Sequence, residues 1–386
     1  MSKKKLLPII LLFVVSLFET SCNNCKSGDA SGADSVSVDS GEVDTALPEL
    51  KGDEEINKAT RFYAGISKDG IEMAESDSKS WETYNQNLKR LLSRSDVITS
   101  GVDSIAHTDF SDFRDKVDYV FYPFSGADFI YPTLFYPNAD TYFMCGLEKT
   151  GTPITGELKT NYAHYEAYRN ALTNFFNWGY FITKNMHNDM HNKEIDGVCP
   201  VIAMMMAIRG YEIISINYVK LNDAGDFVKA ETNSNSIEIK FFKSGTRHEQ
   251  TLYYLSGDVQ NNSFDANLKK YLDKTLPNHT VGTYLKAASF LLHWDSFSTM
   301  RNYIVDNSIS VIQDDTGVPY RYLKDNFDLT LYGKYAYPSS EFSSSCGQPD
   351  LEELFKKGGD SVHPLPFQMG YKNSRNLICA RRKGGF

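Results

Sequence analysis

The chain predicts an α/β or mixed α+β domain, with a central mixed sheet flanked by helices and an N-terminal helical extension. Three observations carry this expectation. Strand-like runs such as Asp118–Phe124 (DYVFYPF) and Ala139–Leu147 (ADTYFMCGL) alternate with longer segments of helical periodicity. Of 386 residues, 41% are hydrophobic and 13% aromatic, enough to build a sizeable core without disulfide staples. No repeat of fixed period runs through the chain, which sets solenoids and propellers aside.

The elements follow in order. Trp81, Tyr84, Leu88, Leu91 and Leu92 recur at helical spacing and predict an amphipathic helix over residues 79–92. The strand-like runs 118–124 and 139–147 enclose Ser125-Gly126-Ala127-Asp128 and an apolar stretch broken by Pro132 and Pro137. Tyr165, Tyr168, Leu172, Phe175 and Phe176 mark a second long helix, and an apolar helix over 200–208 precedes a strand over 211–221. Runs 236–242 and 250–255 read as a hairpin with Gly245 in its turn. Helices are expected near 264–275, 282–293, 296–306 and 350–357, and strands over 308–312, 320–323, 327–331 and 376–380.

The N-terminus carries an address. Lys3, Lys4 and Lys5 precede an apolar run, Leu6 to Phe18, of 13 residues, and Glu19-Thr20-Ser21-Cys22 closes it. At about 1.5 Å per residue such a run is too short to span a bilayer core of about 30 Å as a helix. Residues 1–21 therefore read as a signal peptide. A cysteine after a small residue at the end of such a run resembles the lipobox of bacterial lipoproteins, and the chain looks like an exported lipoprotein of the Bacteroidota type. The resemblance implies removal of the signal, acylation of Cys22, and attachment to the cell envelope at the outer membrane or its periplasmic face. Glu19 departs from the aliphatic residue usual in a lipobox, and Cys25 is a second acceptor. Residues 22–57 are expected to be an acidic disordered linker, because nine carboxylates face two lysines there with little to bury. The globular domain is then 58–386, and most of the formal charge of −9 lies in the linker.

Four features could carry chemistry. In 119–148, strand, glycine turn, short helix, strand and then Glu148 outline a βαβ unit, with Glu148 placed 22 residues after Gly126. This faintly resembles a degenerate Rossmann or methyltransferase-like fold, although a single glycine stands where a phosphate fingerprint needs three. Gly126 for turn geometry alone is the competing reading. Gln313-Asp314-Asp315-Thr316-Gly317 follows an apolar strand, where adjacent acids suit acid–base work or simply cap a turn. His187 and His191 with Asp189 have helical i, i+4 spacing, read as surface histidines rather than a metal site. Tyr320, Tyr322, Tyr332, Tyr335, Tyr337 and Phe342, with Pro338, suit either a core or a stacking cleft. Cys145, Cys199 and Cys379 read as buried hydrophobes, while Cys346 has the option of a disulfide in an oxidising compartment.

Two functions follow as expectations. The first is an envelope lipoprotein that binds a glycan or protein partner through an aromatic-lined cleft. The second is an envelope hydrolase or transferase. In it Asp314, Asp315 and Asp128 are the catalytic candidates, while Ser125, Glu148, Gln313 and Tyr122 line the ligand. If the body has a functional cleft, these groups converge there, because each ends or follows an apolar strand. No cofactor and no metal are expected. The acidic balance argues against nucleic acid, and the membrane partner is reached through the lipid on Cys22. Replacing Cys22 by Ser is expected to release the protein into the soluble periplasmic fraction. Wild-type incorporation of labelled fatty acid in Cys22→Ser would move the anchor to Cys25.

Overall fold

The computed structural model describes residues 49–156, 158, 162–178, 196–335, 346–367, 369 and 375–384. The chain from Glu49 onward forms one compact unit. Helices α1 (Glu54–Tyr63) and α2 (Glu75–Asp109) lead into strand β1 (Tyr119–Pro123), the short helix α3 (Ile130–Phe135) and strand β2 (Thr141–Gly146). Helices α4 (Tyr162–Trp178) and α5 (Val198–Ile208) precede four strands: β3 (Tyr211–Leu221), β4 (Phe227–Lys229), β5 (Ser236–Lys243) and β6 (Glu249–Ser256). Then come α6 (Ala266–Thr275), β7 (Val281–Leu285), a 3-10 segment over Ala287–His293, α7 (Ser298–Asn307) and β8 (Ser308–Gln313). The chain closes with α8 (Tyr320–Leu323), β9 (Phe327–Lys334), α9 (Pro349–Gly358) and β10 (Arg375–Arg382).

The ten strands form one mixed sheet in the order β4-β3-β5-β6-β2-β1-β7-β8-β10-β9. The centre, β6-β2-β1-β7-β8, is parallel, and antiparallel strands extend it on both sides. Parallel strands need cover on both faces, and this sheet has it. Successive side chains of β1 enter opposite cores. Val120 and Tyr122 join the layer containing α1–α5, while Tyr119 and Phe121 join the layer containing α6 and α7. That two-sided burial explains why β1 reads as a continuous apolar run rather than an alternating one.

Several expectations are corrected. The body begins before residue 58. Asp53 caps α1 by accepting the Ile56 N–H, and its own N–H donates to the Ile213 carbonyl at 2.8 Å. The helix expected over 79–92 runs on to Asp109. Val102, Ile105 and Ala106 in its second half are buried, and a Cβ at Gly101 would lie 2.8 Å from the Phe367 ring. Residues 282–293 are not one helix but β7 followed by the 3-10 segment. Residues 320–323 are a helical turn rather than a strand, because Pro319 starts a turn whose Tyr322 N–H returns to the Pro319 carbonyl. The three-residue edge strand β4 was not anticipated. The 236–242/250–255 hairpin is present, and Gly245 supplies its turn at φ +83°.

Asn57 joins α1 to the sheet where β3 carries a bulge. Its amide donates to the Ile213 carbonyl at 2.8 Å and accepts the Ile213 N–H at 2.8 Å, in place of a neighbouring strand. Asn57→Ala would take the partner from the buried Ile213 N–H and leave the Ile213 carbonyl with the Asp53 N–H. The expected cost is about 2–3 kcal/mol, read as a lower midpoint in thermal or urea unfolding. A midpoint within experimental error of wild type would show that α1 is not held there.

Candidate functional site

The sheet contains a topological switch point. From β1 the chain crosses through α3 to β2 on one side, and from β7 through α7 to β8 on the other, while β1 and β7 lie side by side. In such sheets the crevice for a ligand opens at the carboxyl ends of the strands flanking the switch. Four strands deliver residues there. β1 is followed by Phe124-Ser125-Gly126-Ala127-Asp128, β2 by Leu147-Glu148, β7 by Lys286, and β8 ends at Gln313 before Asp314-Asp315-Thr316-Gly317.

An ion pair fills the centre. Lys286 Nζ lies 2.9 Å from Asp128 Oδ2, with both side chains at most 2% exposed. Asp128 also accepts the Tyr122 hydroxyl at 3.1 Å and the Tyr131 backbone N–H at 3.3 Å. The ammonium sits 3.7 Å from the centroid of the Tyr131 ring, a cation–π contact in a dry setting. Burial lowers the Lys286 pKa, and the charges of Asp128 and Asp314 oppose that shift.

Asp314 is wholly buried beside this pair. Its Oδ1 accepts the Thr316 N–H at 2.9 Å and the Thr316 hydroxyl, while Oδ2 has no hydrogen-bond partner among the described residues. Burial first, and then the charge of Asp315, push its carboxyl up to about 7, against the Thr316 hydrogen bonds and the Lys286 charge. Tyr122 and Tyr284 feel the charges of both Asp128 and Asp314, and the buried Tyr284 hydroxyl has no partner among the described residues either. These groups form a single electrostatic cluster in which one carboxyl titrates near neutrality. Such a carboxyl can give or take a proton at physiological pH.

The expected site residues divide. Tyr122, Asp128 and Asp314 come together around Lys286, and Asp315 sits at 4% exposure next to Asp314. Backbone groups hold Asp315 in place: its N–H donates to Asn376 and its carbonyl accepts the Gln348 amide, both at 2.8 Å. Glu148 is half-buried over the glycine turn, where a Cβ on Gly126 (φ +55°) would lie 3.5 Å from its Oε1. Ser125 and Gln313 shape their own loops. The Ser125 hydroxyl donates to the Cys145 carbonyl at 3.1 Å, and the Gln313 amide donates to and accepts from Val318 at 2.9 Å each. Lys286, Tyr284 and Tyr131 escaped the sequence reading. The available signal was a lone lysine directly after the buried run Val281–Leu285.

Other features lie elsewhere. Tyr332 is buried and donates to Asp109 at 2.8 Å, so it is a core residue. Tyr335 accepts the Gln348 N–H at 2.9 Å and lines an open groove of about 700 Å³ with Phe355, His363, Lys334, Lys356 and Arg375. Cys145, Cys199 and Cys379 are buried free thiols, and Cys346 is buried as well. Burial pushes Cys145, Cys199 and Cys379 up to about 12. His187, Asp189, His191, Tyr337, Pro338, Phe342, Cys22 and Cys25 lie outside the described residues. Among the described residues, no group of three His, Cys, Asp or Glu side chains is placed to hold a metal ion. Among them, too, no helix is long and apolar enough to cross a membrane.

Removing one member of a buried ion pair strands the other. Lys286→Met is expected to destabilise the fold by about 3–5 kcal/mol, and the double variant Asp128→Asn/Lys286→Met to recover much of that loss in chemical denaturation. Additive losses in the double variant would contradict direct pairing.

No protein-family model, curated protein or solved structure matches the chain.

Proposed function

We propose that the chain is a cell-envelope lipoprotein whose folded body is a hydrolase or transferase working by acid–base chemistry at the carboxyl ends of β1, β2, β7 and β8. The observation that carries this is Asp314, a buried carboxyl with a free oxygen and a pKa raised to about 7 beside Lys286. In its protonated form it donates to a leaving-group oxygen, and in its ionised form it accepts a proton from an attacking water or hydroxyl. The Asp128–Lys286 pair fixes the loops around it.

The 3-10 segment Ala287–His293 packs against the loop that carries Asp314. The Ser289 hydroxyl lies 3.4 Å from the Thr316 carbonyl, so this segment covers the 314–317 loop. Seven residues is long for a 3-10 run, whose geometry is poorer than that of an α-helix. It is therefore the element to displace when a substrate enters.

The strand order supports the resemblance of the core to a Rossmann or methyltransferase-like fold, since parallel strands wind outward in both directions from β1 and β7. The lone glycine of the first turn, and the buried ion pair that fills the space at the strand ends, argue against a dinucleotide there. A second reading is binding without turnover. The groove beside Tyr335 and Phe355 supports it, with an aromatic wall and three cationic side chains to receive an anionic glycan or protein segment.

Asp314→Asn separates the first reading from a structural acid. Turnover of a panel of nitrophenyl esters and glycosides should fall about 100-fold or more, and the wild-type rate should depend on a group with pKa near 7. The sign for stability is fixed by the raised pKa. Relative to an ordinary carboxyl, Asp314 costs nothing below about pH 4, and its penalty grows until pH passes 7, to at most ~4 kcal/mol. Asp314→Asn should therefore gain stability over wild type as pH rises from 4 to 7. Unchanged turnover would overturn the catalytic assignment.

A further inference from the structure

Where β9 ends beside the start of β10, two cations meet. Lys334 and Arg375 stand directly opposite each other in the antiparallel pair, so their side chains leave the same face of the sheet. Like charges in that position cost stability. Among the described residues neither has an ion-pair partner, and both are exposed on the lining of the groove of about 700 Å³. Lys356 of α9 adds a third cation, and Glu352, which pairs with it at 2.7 Å, is the single carboxylate of that lining among the described residues. The groove thus carries an excess of positive charge in a chain whose formal charge is −9. Its other wall is apolar. The Tyr335 and Phe355 rings lie 6.2 Å apart and belong, with Val362, to a small cluster separate from the two main cores. Gly333 (φ +79°) lets these parts close up, since a Cβ there would collide with the Arg375 carbonyl oxygen and lie 3.1 Å from Leu365.

We infer that this groove binds a small acidic saccharide, a sugar ring bearing a carboxylate or a phosphate, with the anion on Lys334 and Arg375 and the ring against Tyr335 and Phe355. This rests on the second reading above, in which the groove is a binding site. A guanidinium beside an ammonium suits an oxyanion, and the apolar C–H face of a pyranose suits an aromatic wall. The volume is that of a small-molecule site. An acidic peptide adding as a strand is the weaker fit, because the outer edge of β9 is taken there. The Gly333 N–H donates to the His363 carbonyl at 2.8 Å, and the Leu331 carbonyl accepts the His363 N–H at 2.9 Å. The opposed cations then have a reason, since a bound anion relieves their repulsion.

The test uses the full chain in detergent. The probes are glucuronate, N-acetylneuraminate and glucose-6-phosphate as acidic sugars, glucose as the neutral ring, inorganic phosphate as the bare anion, and a tetraglutamate peptide. Binding is read by calorimetry and saturation-transfer NMR. At least one acidic sugar should bind more tightly than glucose, phosphate or the peptide, with an affinity that falls as salt rises. The carboxylate and phosphate probes distinguish the two sources of the anion. Lys334→Gln and Arg375→Gln should each weaken binding about tenfold or more, while the thermal midpoint stays level or rises because the opposed like charges are gone. Lys334→Glu should abolish binding and raise the midpoint by pairing with Arg375. Tighter binding of the peptide than of every sugar keeps the groove as a binding site and overturns the saccharide assignment. Inorganic phosphate or glucose matching the acidic sugars, or full affinity in both glutamine variants, overturns it as well. Failure of every anionic probe to bind removes the groove reading along with the inference.

Discussion

A buried lysine and aspartate from opposite sides of the sheet's switch point hold the centre of this molecule. Asp128 follows β1 and Lys286 follows β7, 158 residues apart in sequence, and their contact locks two strand ends together in a dry core. Such a pair contributes little net stability, because desolvating both charges offsets most of their attraction. It does restrict geometry. Asp128 meets an ammonium, a phenol and a backbone N–H together, and that arrangement also sets the Tyr122, Tyr131 and Tyr284 rings around the charge. Hydrophobic residues of similar volume could pack the same space, but they would leave Asp314 without the Lys286 charge.

The surrounding architecture makes that arrangement possible. Parallel strands are buried on both faces, so their ends, rather than their faces, are where polar groups can approach one another. β8 ends in a loop that Gln313, Asn376 and Gln348 hold from three directions, which keeps Asp314 inside the fold although its sequence, DDTG, is that of an ordinary surface turn. Tertiary cover overrides local turn chemistry at this point.

Much of the sheet was legible because β1, β2, β3, β5 and β6 are runs of β-branched and aromatic residues with clear turns between them. The placement of Tyr122, Asp128, Glu148 and Asp314 at strand ends was legible for the same reason. β7 was not. Val281-Gly282-Thr283-Tyr284-Leu285 is short and contains a glycine, and the apolar residues that follow it join it into a helical pattern. Gly282 is there because Tyr136 lies against the strand, where a Cβ would come within 2.7 Å of the ring, a contact invisible in sequence. Losing β7 hid Lys286, and with it the partner that gives the acids their setting. The start of the body was also missed, because Asp53 and Asn57 read as polar linker residues until Ile213, far along the chain, supplies their partner.

One carboxyl that keeps its proton near neutral pH is central to the proposed chemistry. Isotope-edited infrared spectroscopy, comparing wild type with Asp314→Asn from pH 4 to pH 9, measures this directly. The expected result is a protonated-carboxyl band assigned to Asp314 that disappears with a midpoint near 7. A midpoint near the ordinary carboxylate value of about 4 would contradict the account, making Asp314 a turn acid that is ionised throughout the working range.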